Sequence, residues 1–283
     1  MLMHAMLALA LSAAPPQVAG ADTVITVNRD TRLEVENHRG EVLIDAWDRD
    51  GVRVQADLDR DQMIDAARSG TVLRVRPRTA RGGLADADLR VTVPRWMSIR
   101  VEGNQLDVAV RGTEGELSVQ TVNGDIEVEG GAGLVTLRSI QGQVTVRGAS
   151  GRVEAITVNE DIEVSDIDGE VDIETTNGDV TLRRIRATTA RATTVNGDVF
   201  YDGSIRDGGR YAFSTHNGDI SVTVAENANT TVSVSTYRGD FESDFPVRLT
   251  GATRDRQFTF TLGSGSARLE LESFNGEIRL RRP

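Results

Sequence analysis

A regularly spaced series of aspartates is the set of residues in this 283-residue chain best suited to chemistry. Each is the third residue of a corner with the sequence Asn-Gly-Asp or a close variant. If the corners stack, unit charges about 5 Å apart repel by roughly 1 kcal/mol even in water, so a run of carboxylates calls for compensation. A Ca²⁺ ion would supply it, because calcium takes carboxylate and backbone oxygens. The candidate calcium ligands are Asp161, Asp179, Asp198, Asp219 and Asp240.

The same residue types also fit a structural role. Asn and Gly tolerate a positive φ, and an Asp side chain accepts hydrogen bonds from nearby backbone N–H groups. The calcium-binding nonapeptide roll requires Gly-Gly-x-Gly-x-Asp, and residues 130–133 (Gly-Gly-Ala-Gly) resemble it without an Asp in the required place. We therefore favour turn chemistry over metal binding for these aspartates, and we expect no cofactor.

A histidine and a serine near one corner suggest hydrolytic chemistry. His216 lies beside Thr215 and Asn217, with Ser214 close by. A hydrolytic triad needs Ser, His and a carboxylate that converge beside an oxyanion hole, and no nucleophile elbow marks this stretch. Three scattered histidines and the absence of cysteine also argue against a transition-metal site. We expect a protein that is not an enzyme.

The corners belong to a repeat that predicts the fold. From position 123 they recur at intervals of 18, 18, 18, 19, 21 and 21 residues. A fixed period with one structural unit per repeat is typical of a solenoid. We expect the asparagines to stack as a side-chain ladder at the corner. The repeat corners are Asn123, Gly124, Asn159, Asn177, Gly178, Asn196, Gly197, Asn217, Gly218, Asn275 and Gly276.

Alternating apolar residues on both sides of each corner predict two strands per coil. Inward positions such as Leu117 and Ile126 fall over apolar residues of the next coil when the sequence is offset by one repeat. Parallel strands about 4.8 Å apart, each burying one face, produce this pattern. The outward positions alternate charge with hydroxyl, which predicts a solvated face, and Glu129 is expected to pair with Arg147.

These patterns predict an all-β protein. We expect a parallel β-helix, or β-solenoid, with an N-terminal β-sheet capping region. The solenoid should have about eight coils and be about 40 Å long. The expected divisions are a signal peptide at 1–20, the capping region at 21–100, and solenoid repeats at 101–283 with an insertion at 243–266.

Three local expectations complete this prediction. The acidic, alanine-rich stretch 59–67 is expected to form a short helix or a loop. Residues 257–262, inside the insertion, alternate as a strand does. The arginines and proline at 281–283 are expected to blunt the last open edge of the solenoid.

Composition narrows the location and the partners. A short apolar run at 7–14, followed by small residues at 18–20, predicts an export signal that is too short to anchor in a bilayer. A net charge of -11 argues against nucleic acid or an anionic membrane surface as a partner, because both require a basic face. We expect a monomer in the periplasm or on the cell surface, with no membrane span in the mature chain.

Several stretches resemble the bacterial putative-adhesin family, a domain of unknown function. They are residues 33–42 (Leu-Glu-Val-Glu-Asn-His-Arg-Gly-Glu-Val), residues 91–94 (Val-Thr-Val-Pro) and the Asn-Gly-Asp-Ile repeats. The similarity runs from about Val24 to Leu280. The resemblance implies an exported or envelope-facing protein with a single-stranded, right-handed β-helix. It carries no established catalytic residues, so none is transferred to this sequence.

Three functions are compatible with these features. We expect first a non-enzymatic, exported envelope or surface interaction protein, adhesin-like, that presents its repeat surface to a glycan or protein partner. The alternative is a self-associating structural scaffold of the envelope, which the capped N-terminal region and the arginine-rich C-terminus disfavour. A glycan-active β-helix enzyme comes third, because the coils at 115–187 have almost no loops from which to build a cleft.

Overall fold

The computed structural model describes residues 17–19, 22–247 and 257–283, and every regular element in these ranges is a β-strand. They contain no helix with the length and apolar character needed to cross a membrane. The strands are β1 (Gln17–Ala19), β2 (Asp22–Thr26), β3 (Arg32–Trp47), β4 (Gly51–Asp57), β5 (Gln62–Ser69), β6 (Val72–Thr79), β7 (Asp88–Pro94), β8 (Ile99–Thr113), β9 (Leu117–Gln120), β10 (Ile126–Gly130), β11 (Ala132–Arg138), β12 (Val144–Arg147), β13 (Ser150–Ile156), β14 (Ile162–Ser165), β15 (Asp168–Glu174), β16 (Val180–Ile185), β17 (Thr189–Asn196), β18 (Val199–Gly203), β19 (Arg210–Asn217), β20 (Ile220–Thr223), β21 (Thr230–Thr236), β22 (Phe241–Ser243), β23 (Gln257–Leu262), β24 (Ala267–Asn275) and β25 (Ile278–Arg281).

The strands form two faces of one parallel β-solenoid, so the predicted fold class is confirmed. Strands β3 and β8 are long enough to run through both faces. Face A has the order β1, β5, β6, β3, β8, β9, β11, β13, β15, β17, β19, β24, β21 and β23. Face B has the order β2, β4, β7, β3, β8, β10, β12, β14, β16, β18, β20, β25 and β22.

The inward columns of the regular coils have the predicted register. On face A, Leu117 opposes Val135, which in turn opposes Val153. On face B, Ile126 opposes Val144, which opposes Ile162. All of these side chains are buried, because successive strand residues point to opposite faces and every second one meets the core. The 21-residue coils enclose larger side chains, and Tyr201, Tyr211 and Phe213 are buried among them.

At both ends of the stack the spatial order of the coils departs from their order in the sequence. At the N-terminal end, β3 lies between β8 and the layer made by β6 and β7. At the C-terminal end, β24 and β25 lie between the layer of β19 and β20 and the layer of β21 and β22. The parallel strands that come first and last in the sequence are therefore held between neighbours on both sides: β3 at one end, and β24 and β25 at the other. We call this arrangement the crossed ends.

Antiparallel strands complete the stack beyond the crossed ends. Strands β1, β5, β2 and β4 add to the N-terminal end, and β23 pairs with β21 at the C-terminal end. The strand expected at 257–262 is thus present. The stretch 59–67 is not a helix or a loop as expected, because most of it forms β5, which pairs along its whole length with β6. Most of the predicted signal peptide lies outside the described residues, and 1–20 stays a prediction.

Two expectations about charged residues are corrected. Arg147 opposes Glu129 in the register, but its guanidinium bonds the carboxylate of Glu127 at 3.1 Å. A long side chain reaches the diagonal neighbour as easily as the direct one. The arginines at the end of the chain do not cover an open edge, because β25 is paired on both sides. Arg281 instead forms ion pairs with Glu242 and Asp244 of the neighbouring coil.

Each coil turns twice. The first corner, from face A to face B, carries the Asn-Gly-Asp sequence, and the second corner leads back to face A. At the second corner Asp166 and Arg184 adopt positive φ values of 58° and 52°. Their side chains form two hydrogen bonds of 2.7 Å, and the Arg184 guanidinium lowers the pKa of the Asp166 carboxyl. Ile167 and Ile185 are buried beneath this pair.

Candidate functional site

The asparagines of the first corner form a hydrogen-bonded ladder. The side-chain N–H of Asn177 donates to Oδ1 of Asn159 at 3.0 Å, and Asn196 donates to Asn177 at 2.8 Å. The ladder continues through Asn217 to Asn275, each step at 2.8 Å. At the other end Asn123 faces Gln141, which interrupts the run of asparagines. Each asparagine inside the run therefore donates a side-chain hydrogen bond to one neighbouring coil and accepts one from the other.

The aspartates that were considered as calcium ligands form a second ladder with the backbone. The N–H of Asp179 donates to Oδ1 of Asp161, the N–H of Asp198 to Asp179, and the N–H of Asp219 to Asp198, all at 2.7 Å. A carboxylate that accepts a backbone N–H has a structural reason to be at this position. One oxygen of each of these carboxylates is therefore occupied by the next coil.

The fifth candidate aspartate is separated from the others. Because β25 lies between β20 and β22, Glu277 follows Asp219 in the column, and its N–H donates to Asp219 at 2.8 Å. Asp240 occupies the coil beyond. Within the described residues, no group of three or more His, Cys, Asp or Glu side chains is arranged to hold a metal ion. The carboxylates of this corner are thus engaged in backbone capping, and their role as calcium ligands stays untested.

A column of buried hydroxyl groups supports the same corner, and the sequence analysis did not identify it. Thr175 donates to the carbonyl of Glu160 at 3.1 Å, and Thr194 donates to that of Gly178 at 3.0 Å. The signal was present, because a Thr or Ser stands two positions before each corner asparagine. The members of the column are Thr121, Ser139, Thr157, Thr175, Thr194, Thr215, Ser273 and Thr236.

Between the buried hydroxyls and the asparagines runs a line of outward side chains that we call the corner ridge. It is mainly apolar along its first coils and aromatic at its C-terminal end. Tyr237 is 60% exposed and Ile140 45% exposed, although both are apolar or aromatic. In spatial order the ridge consists of Val122, Ile140, Val158, Thr176, Val195, His216, Phe274 and Tyr237.

His216 belongs to the ridge. Its ring stacks on Phe274 with a centroid separation of 4.6 Å and an interplanar angle of 11°. Phe274 stacks in turn on Tyr237 at 4.7 Å and 9°. No hydrogen bond joins His216 to Ser214 or to a carboxylate within the described residues, so the Ser, His and acid arrangement of a hydrolase is not formed here.

Face A carries a depression near its N-terminal end that we call the face A groove. It has a volume of about 410 Å³ and spans strands β3, β8, β9 and β11. Its central positions hold short side chains, Ser118 and Thr136, which oppose each other in the register. Longer side chains at the flanking positions, such as Leu134 and Arg138, form the rims. The groove thus follows from the sizes of side chains across adjacent strands.

The charges around the groove are unequally paired. Arg100 bonds Glu102, and Arg32 bonds Glu34 at 3.2 Å. Arg138, on the rim, is exposed and has no ion pair with any of the described residues. A guanidinium presents a planar fork of donors that matches a carboxylate. The groove therefore offers an unpaired cation, Arg138, at one end, and at the other a carboxylate, Glu116, that has no ion pair with the described residues.

Comparison with known proteins places the chain in a family. No curated protein matches it. A putative adhesin from Bacteroides fragilis shares 11% identity over 92% of this chain and 95% of its own, with a TM-score of 0.40. A putative cell adhesion protein from Clostridium sporogenes shares 7% identity over 93% of this chain and 99% of its own, with a TM-score of 0.25. The model of the family described as Toastrack DUF4097 matches residues 31–281, which confirms the resemblance: this chain belongs to the Toastrack DUF4097 family.

Proposed function

We propose that the protein is an exported, non-enzymatic interaction protein that presents its repeat surface to a glycan or protein partner at the cell envelope. The observation that carries the proposal is the corner ridge. Apolar and aromatic side chains lie outward in neighbouring coils along one line, and exposed apolar patches on soluble proteins mark interaction sites. Family membership agrees with a solenoid scaffold and assigns no reaction.

The arrangement of polar groups supports binding over catalysis. The amides of the corner bond one another, and the carboxylates and hydroxyls beside them bond the backbone of neighbouring coils. Side chains committed to such ladders are poor general acids, bases or nucleophiles, because catalysis needs groups that converge on one reacting atom. The outward faces, in contrast, offer a long regular array, as binding solenoids do.

The test is binding of the predicted mature chain, residues 21–283, to isolated envelopes and purified envelope polysaccharides of the bacterium that produces it. The double variant Val195→Ser and Phe274→Ser replaces two exposed apolar side chains of the ridge with small polar ones. We expect at least a tenfold loss of binding with an unchanged unfolding midpoint. The control Val24→Ser and Leu84→Ser changes two exposed apolar residues elsewhere and should bind as the wild type does. Equal binding by both variants, or no binding by the wild type, would contradict the proposal.

One observation favours a second candidate, a scaffold that associates end to end. Strand β23 is the last strand of face A within the described residues, and it carries no charged residue. Edge strands of this composition are prone to pair with other chains. Sedimentation velocity over a hundredfold range of concentration tests the idea. Assembly that Thr259→Lys reduces and Thr145→Lys, on the middle of face B, does not reduce would support it; a monomer throughout would exclude it.

A further inference from the structure

We infer that the face A groove binds an acidic glycan, with Arg138 as the residue that holds a sugar carboxylate. The inference deepens the proposed function, since it names the ligand class and places it at a defined position on the repeat surface. The groove is separate from the corner ridge. Its volume of about 410 Å³ lies in the range of roughly 300–1,000 Å³ that small-ligand sites occupy.

The end of the groove at Arg138 suits an anion. Three arginines, Arg32, Arg100 and Arg138, and two glutamates, Glu34 and Glu116, line this depression. In the register of β9 and β11, Glu116 precedes the strands' first paired residues and Arg138 is the last, so the two lie at opposite ends of the groove. Arg32 and Arg100 are held by carboxylates of the protein, whereas Arg138 has no such partner among the described residues. A free guanidinium at the rim of a concave site binds a carboxylate with two parallel hydrogen bonds and so fixes its orientation.

The rest of the groove fits a sugar. Ser98, Ser118 and Thr136 line it with hydroxyl groups, and all three are half-buried. Hydroxyls both donate and accept, so they match the hydroxyl groups of a glycan in either orientation. Leu134, which is 41% exposed, provides an apolar wall for the C–H groups of a sugar ring. A groove with polar contacts and one apolar wall is therefore complementary to an acidic sugar.

An acidic peptide fits less well. Peptides commonly bind sheets by adding a strand to an open edge. The groove lies in the interior of face A, where β8 pairs with β3 and β9, and β9 pairs with β8 and β11. The backbone N–H and C=O groups of these strands are consequently engaged in the sheet. A ligand in the groove meets side chains, which favours a glycan over an extended peptide.

Isothermal titration calorimetry of residues 21–283 tests the inference. The probes are trisaccharides of galacturonate, glucuronate and mannuronate, the methyl ester of each, and a hexaglutamate peptide. We expect at least one uronate to bind, its neutral ester to bind at least tenfold more weakly, and hexaglutamate to bind more weakly than the uronate. Binding should weaken as salt rises, because an exposed ion pair is screened.

Variants locate the binding. Arg138→Gln should reduce uronate affinity tenfold or more. Arg138→Lys keeps the charge and loses the planar fork, so its affinity should lie between those of the wild type and Arg138→Gln. The control Arg191→Gln removes another exposed arginine of face A, outside the groove, and should bind as the wild type does. Unfolding midpoints of all three variants should match that of the wild type, because Arg138 contacts no carboxylate that its loss would strand.

The outcomes separate this inference from the proposed function. Absence of binding to every uronate, ester binding as tight as acid binding, tighter binding of hexaglutamate, or an unaffected Arg138→Gln variant would each overturn the groove assignment. Ridge-dependent envelope binding would still stand in those cases. Uronate binding that requires Arg138, together with envelope binding that ignores the ridge variants, would support the groove and overturn the role of the ridge.

Discussion

The two corners of the coil are joined to those of neighbouring coils by different side-chain contacts. At the first corner, amide, carboxylate and hydroxyl side chains bond neighbouring coils in the same geometry from one layer to the next. At the second corner the sequence changes from coil to coil, and an ion pair between Asp166 and Arg184 joins two residues with positive φ. The first corner thus repeats closely from coil to coil, whereas the second varies where exposed side chains make the contact. The glycines that follow the second corner, Gly151 and Gly169, nevertheless approach the backbone of the preceding coil as closely as those of the first.

The difference shows which corner determines the alignment of the coils. A ladder of neutral amides has short hydrogen bonds with fixed directions, so a shift by one residue would break every step. An exposed ion pair contributes little and tolerates small displacements. We therefore expect the first corner to dominate stability and the second corner to accept substitution. The following substitutions test that expectation in order of decreasing effect.

The largest effect is expected for glycine at the first corner. A Cβ on Gly178 would lie 2.2 Å from the carbonyl oxygen of Glu160, so Gly178→Ala forces the backbones of two coils apart. We expect a loss of about 3 kcal/mol in the free energy of unfolding, measured by urea denaturation. At the second corner a Cβ on Gly148 meets nothing within 4 Å, and Gly148→Ala bears only the cost of its φ of 70°, about 1 kcal/mol. Equal losses would contradict the proposed difference between the corners.

The next effect concerns the buried hydroxyl column. Thr175 is 1% exposed and donates to the carbonyl of Glu160. Thr175→Val keeps the shape of the side chain and removes this donor, which should cost about 1–2 kcal/mol in the free energy of unfolding. Thr176→Val, one residue along, changes a half-exposed position of the ridge and should cost nothing measurable. Similar urea midpoints for the two variants would show that the hydroxyl column is not needed.

A smaller effect distinguishes the backbone ladder from a calcium site. Asp179→Asn retains an oxygen that accepts the N–H of Asp198, so its unfolding free energy should stay within about 0.5 kcal/mol of the wild type. Asp179→Ala lacks that oxygen and should lose about 1 kcal/mol. Thermal unfolding of the wild type in Ca²⁺ and in EDTA, at one ionic strength, should give coincident curves. A midpoint several degrees higher in Ca²⁺, abolished by Asp179→Asn, would restore the metal ladder.

The smallest effect is expected at the ion pair of the second corner. The hydrogen bond from Arg184 lowers the pKa of Asp166 from 3.8, so the pair stabilises the fold above that pH and the contribution disappears as the pH falls below it. Asp166→Asn should therefore have a slightly lower thermal midpoint than the wild type at pH 7, and the difference should shrink as the pH falls through the lowered pKa of Asp166. Because both side chains of the pair are exposed, 1 M salt should reduce the difference at pH 7. A difference that does not shrink as the pH falls would assign the effect to something other than charge.

The sequence predicted the parts of the fold that repeat locally. The columns that begin at Leu117 and Ile126 follow from alternation and a fixed period, and both are properties of a single coil. The stacking of Asn159, Asn177 and Asn196 follows from the same period. Strand β5 was missed because its alanines and acidic residues resemble a helix, and pairing with β6 imposes the strand.

Other features depend on which coils are neighbours, and the repeat does not encode that choice. All coils have the same inward apolar pattern. The local sequence of β25 therefore does not predict that it pairs with β22 and does not form the end of the stack. The position of Asp240 beyond Glu277 follows from that pairing. The face A groove depends on the relative sizes of Ser118, Leu134 and Arg138 on separate strands. Such a site becomes visible when the register is known.

The crossed ends have a consequence for how the molecule responds to a pulling force. Strand β25 ends at Arg281, close to the last residue of the sequence, and is hydrogen-bonded to a strand on each side. A pull on Pro283 therefore cannot peel an outermost coil away one bond at a time. It must slide β25 between β20 and β22 and break both sets of bonds together. At the other end, once β2 is detached, a pull reaches β3, which is enclosed by β8 on one side and by β6 and β7 on the other. A solenoid with coils stacked in sequence order would lose its end coils first under force. In this one the force acts first on strands that are hydrogen-bonded on both sides.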